Sequence, residues 1–145
     1  MRTLEQIDAD IWWERNGLRR SAEIRDSAAE IGDETTYETS AKDCIACVAK
    51  IDQLRDERNG VLFCHFEDRL QVGRFASRFQ SVEDDRGYWC IADTKTRRIV
   101  RTDIPRKACA DGVCAEMSDY TRSRESSLAR QDRSVFREQN RTINA

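Results

Sequence analysis

Six cysteines at positions 44, 47, 64, 90, 109 and 114, with the only histidine, His65, beside one of them, set the sharpest limit on what this 145-residue chain can become. Four such ligands gathered at one point make a tetrahedral zinc site that organises a small fold around itself. Dispersed, they are small apolar side chains, among the residues most often buried. Spacing favours dispersal. Cys44 and Cys47 fall inside a helical apolar stripe, whereas compact zinc knuckles place such a pair in a turn. The ligand set that spacing offers joins them to Cys109 and Cys114, with Cys64 and His65 less natural contributors because neighbouring strand residues point to opposite faces. No cofactor is therefore expected, with a structural zinc on Cys44, Cys47, Cys109 and Cys114 as the alternative. A redox role for Cys44 and Cys47 is disfavoured, because Asp43 opposes thiolate formation and no strand–helix–strand unit precedes the pair.

No run of about 20 apolar residues is present, so no membrane span is expected. The first residues, MRTLEQIDADIWWERNG, lack the apolar core and cleavage site of a secretory leader. The expectation is a cytoplasmic chain with reduced thiols.

Hydrophobic periodicity divides the chain. Thr3 with Gln6 forms a capping-box pattern, and Leu4, Ile7, Ile11 and Leu18 draw one apolar stripe that ends at Gly32. Thirty residues with so thin a stripe form either one long helix partly paired with another element or two helices broken near Gly17. Residues 32–39 read as a loop. Ser40 caps a second helix carrying Cys44, Cys47, Val48, Ile51 and Leu54 on one face, and Asn59-Gly60 closes it. VLFCHF (61–66) and LQVGRF (70–75) then read as a first β-hairpin, and 81–87 as an acidic loop. YWCIA, the turn DTKT and RRIVRT form a second hairpin. Beyond Pro105 lies a loop or short helical turn, followed by a charged helix from Ser123 to about Asn140 with a thin stripe through Leu128, Val135 and Phe136. The predicted fold is α+β: N-terminal helices packed on a four-stranded antiparallel sheet of two hairpins, then a charged C-terminal helix. Residues 1–121 form the compact domain, and 122–145 a charged helical or partly ordered tail.

No catalytic group is assigned, and the chain is read as not an enzyme. Cys64 and His65, adjacent on a predicted strand, would point apart. Glu67 and Asp68 are turn formers, and Glu83, Asp84 and Asp85 lack the alternating oxygen ligands of a calcium loop. The six glycines are scattered and cradle no phosphate.

Two surfaces remain. Trp12 and Trp13 are neighbours on a helix and cannot both point the same way: one can join the core, and the other lands on a flank, where it covers a second element or meets a partner. With Glu5, Asp8, Asp10 and Glu14 around them, and Arg15, Arg19 and Arg20 a turn later, they compose an aromatic and acidic protein-binding surface. Residues 1–43 carry a net charge of −5, so this face suits a basic cleft. The expected role is an inhibitor or accessory subunit that binds a protein partner or its own copy. The second surface is the Arg-rich stretch 97–141, where Arg97, Arg98, Arg101, Arg106 and Lys107 would contact nucleic acid. Acidic residues interleave with those bases, which makes it the weaker reading.

Overall fold

The computed structural model describes residues 1–143, and within them the side chains of all but residues 134, 136, 140, 142 and 143. The chain divides into two compact units: residues 1–68 with Arg97–Ile99, and residues 69–96 with 100–145.

The first unit is a helical hairpin. Helix α1 (Leu4–Ile31) opens with the expected capping box, in which Thr3 accepts from the Gln6 amide at 3.2 Å and Gln6 accepts from the Thr3 amide at 2.9 Å. It runs unbroken through Gly17, whose bare backbone faces the Cys47 sulfur. Gly32 ends it in the left-handed conformation (φ 76°), which glycine adopts without a Cβ clash. Helix α2 (Glu34–Phe66) begins at once, capped by Asp33 rather than Ser40. Ser40 is instead buried within it. The predicted loop over 32–39 is therefore two residues of turn and the first part of a helix. Two long helices joined by so short a turn must run antiparallel. Ile7 and Ile11 of α1 meet Leu54 of α2, with Val61 against them.

The largest correction concerns residues 61–75. Among the described residues there is no four-stranded sheet: the elements are three α-helices, one 3-10 turn at Glu67–Arg69 and three strands. VLFCHF continues α2, burying Phe63 and Phe66 at helical spacing while Cys64 and His65 face solvent. A short apolar run is ambiguous between strand and buried helix, and the helix already running into it decided the outcome. LQVGRF is irregular, with Val72 and Phe75 largely exposed.

Gly60 does not stop α2 either. It lets Arg98 lie against the helix, where the guanidinium holds Asp56 at 3.1 Å. A Cβ at position 60 would come within 2.9 Å of Arg98 Nη1. Gly60→Ala is thus expected to be near neutral, because a helix gain of about 1 kcal/mol is offset by displacing an exposed ion pair worth about 0–1 kcal/mol. In an Arg98→Ala background the same substitution should show the whole gain in thermal unfolding. Equal effects in the two backgrounds would refute this clamp.

The second unit carries most of the sheet. Strand β1 (Phe79–Glu83) pairs antiparallel with β2 (Trp89–Asp93), placing Phe79 opposite Asp93 and Val82 opposite Cys90. Strand β3 (Arg98–Ile104) follows the turn 94–97 and completes the order β1-β2-β3. The hairpin read from YWCIA, DTKT and RRIVRT is present. Strand β1 falls partly in the predicted acidic loop: its buried residues, Phe79 and Val82, lie three apart and show no period of two. Helix α3 (Lys107–Ile143) packs on β1 and β2 through its beginning, where Ala110 is buried. From residue 122 onward every side chain described is exposed. Residues 144 and 145 of the predicted tail lie outside the described residues.

Candidate functional site beside Trp12

The seam of the hairpin turns Ile7 and Ile11 inward, which leaves positions 12 and 13 on the outer face. Neither indole joins the core: Trp12 is 63% and Trp13 71% exposed. The expected division of one in and one out fails because Ile7 and Ile11 already fill the seam against Leu54.

Beside Trp12 runs a groove of about 480 Å³ between α1 and α2. Asp8, Trp12 and Arg15 line it from α1 at spacings of four and three, and so share one side of that helix. Arg55, Arg58 and Asn59 line it from α2, and Ile11, almost fully buried, lies at its base. Arg58 donates to Asp8 at 2.6 Å and closes one part of the groove. Arg15 and Arg55 are exposed and make no ion pair among the described residues. The lining therefore holds three guanidinium groups against one carboxylate.

The acidic face expected around the indoles is largely spent. Asp10 binds Arg2, and the same guanidinium reaches Glu57, donating from Nε to Oε1 at 3.0 Å. The Arg2 hydrogen bonds hold the Glu57 carboxyl below its ordinary range. Glu14 stands next to Cys47, whose thiol is pushed up by burial and further by that carboxylate. A raised thiol is the opposite of what a redox pair needs. Glu5 remains exposed.

The thiols disperse. Cys44 and Cys90 are buried, Cys47 and Cys114 half-buried, and Cys64 and Cys109 exposed. Among the described residues no group of three or more His, Cys, Asp or Glu is placed to hold a metal. Cys44 and Cys47 belong to the first unit, Cys109 and Cys114 to the second.

The arginines proposed for nucleic acid are partly engaged. Arg97 binds Glu67 at 2.7 Å and lies over the Phe63 ring, 5.2 Å from its centroid. Arg98 is held by Asp56, and Lys107 lies over Trp89 at 5.8 Å. Arg101 and Arg106 are exposed. The acidic loop is also committed internally. Asp84 accepts from the amides of Arg86 and Tyr88 and from the Arg86 side chain, while Asp85 binds Arg69.

Of the groove's lining the sequence reading named Asp8, Trp12 and Arg15 for a surface and not Arg55, Arg58 or Asn59, which reach the groove only because the hairpin folds back. No helix among the described residues is long and apolar enough to cross a membrane. No family model matches the chain, and comparison with curated proteins and with solved structures returns no significant match.

Proposed function

We propose that this chain is a non-catalytic protein-binding module, an inhibitor or accessory subunit, whose contact surface centres on Trp12 and Trp13. One observation carries the reading: two adjacent indoles stand exposed on a helix whose core positions are already occupied. Covering both rings would remove roughly 250 Å² of apolar surface, a gain of about 6 kcal/mol. Association costs at least about 4 kcal/mol in lost freedom. The pair is therefore an anchor that needs polar contacts around it, the composition of an interface hot spot.

Trp12→Ala with Trp13→Ala tests this. Because both rings are exposed, the double variant is expected to keep its helix content and to unfold within about 0.5 kcal/mol of the parent. Affinity capture from the native host, quantified beside mass in solution, should show the complex lost. A complex or self-association that survives the double substitution undiminished removes the proposal.

A further inference from the structure

We propose that the groove beside Trp12 receives an acidic segment of a partner protein, with its carboxylates on Arg15 and Arg55 and an apolar side chain against Trp12. The proposal rests on the protein-binding reading and adds the chemistry of the partner.

Charge is the first support. The groove is lined by Arg15, Arg55 and Arg58, and only Arg58 is paired there. Two guanidinium groups on opposite walls, without ion pairs among the described residues, offer two separate forks to carboxylates. Asn59 adds an amide that can both donate and accept, so it accommodates a peptide backbone.

Shape is the second. From Asp8 to Arg15 the α1 wall is about 10 Å long at 1.5 Å per residue. A volume of about 480 Å³ along that length holds several side chains in a row. Trp12 is more than half exposed at this wall, so it meets a ligand laid across the surface rather than enclosing one.

The acids nearby argue against a nucleic-acid strand. Phosphates recur along a strand and need a continuous basic track. Here Asp8 lies in the groove, and exposed Asp52 precedes Arg55 by one helical turn. A carboxylate-bearing segment can place its charges at two points only and leave the acids alone.

Calorimetric titration of the full chain provides the test, with a short Glu-rich peptide bearing a central leucine as the probe. A Lys-rich counterpart and single-stranded oligothymidylate serve as comparisons. Saturable binding of the acidic peptide alone is expected, weakened about tenfold or more by Arg15→Glu with Arg55→Glu and weakened by added salt. An absent response, equal affinity in the charge-reversed protein, or tighter oligothymidylate binding would overturn it. Partner capture separates the two readings. Capture lost in the double Trp variant but kept on charge reversal sinks the groove chemistry alone. Capture indifferent to the indoles sinks the reading beneath it, while the titration still decides what the groove binds.

Discussion

Asp93→Ala is expected to cost about 3 kcal/mol of unfolding free energy, at the low end of the range for breaking a buried ion pair. The carboxylate is 5% exposed and holds Arg78 through two hydrogen bonds, at 2.9 and 3.0 Å. The same side chain accepts from the Lys95 amide at 3.0 Å and so shapes the turn between β2 and β3. Alanine removes all of these. Arg78 is about one-third exposed, so its orphaned guanidinium recovers some hydration, which sets the estimate at the low end. Asp93→Asn keeps a turn acceptor and should cost roughly half as much, because a neutral amide forfeits only the charge assistance. Urea unfolding of both variants measures this, and an alanine variant within about 0.5 kcal/mol of the parent would refute the role.

A pH dependence follows from the same group. Burial alone would raise the Asp93 pKa, but Arg78 and the turn amides outweigh it, and the pKa lies below its ordinary value of 3.8. A carboxyl whose folded pKa is depressed stabilises the protein fully above its unfolded value and loses that contribution as pH falls through the folded one. Asp84 is depressed too: burial opposes the shift, and Arg86 with the Arg86 and Tyr88 amides prevails. Stability should therefore be level near neutrality and fall below about pH 4. In Asp93→Asn that acid decline should be shallower, read as the slope of unfolding free energy against pH.

Leu54→Ala should cost a similar amount in the helical hairpin, about 3 kcal/mol or more, from lost transfer energy and the cavity left behind. Leu54 is 1% exposed and meets Ile7 and Ile11 across the seam. Two helices offer few neighbours that can close over the gap. The measurement is loss of helical signal on heating, with Leu54→Met as the control. Methionine keeps the volume and should cost less than about 1.5 kcal/mol. Equal effects of the two substitutions would show that the seam is not closely packed.

Helices α1 and the middle of α2 were legible because their apolar residues recur at helical spacing and their first cap is local. Thr3 and Gln6 need only each other, and Gly32 needs only its own backbone freedom. The β2–β3 hairpin was legible for a similar reason, as two branched and aromatic runs flank a short polar turn. Residues 61–66 and 79–83 were not legible. The first run fits helix or strand equally well, and the second has no alternation to betray it. In the site, the indoles could be found from composition. Their common exposure could not, because it depends on Ile7 and Ile11 filling the seam first.

Taken alone, the order of residues determined where the first helix starts, that its pattern stops at Gly32, that the thiols are spread along the chain, and that charge is uneven from end to end. These depend on neighbours within a few positions or on composition. Only the tertiary structure decided that α2 runs on past Gly60, that Asp8 is neutralised by Arg58, that Arg2 reaches Glu57, and that Arg15 and Arg55 face one groove. Each of these joins residues some forty or more apart or overrides a local preference. The physical reason is that pairing across a folded hairpin is set by which faces meet, and no single stretch of chain contains that information.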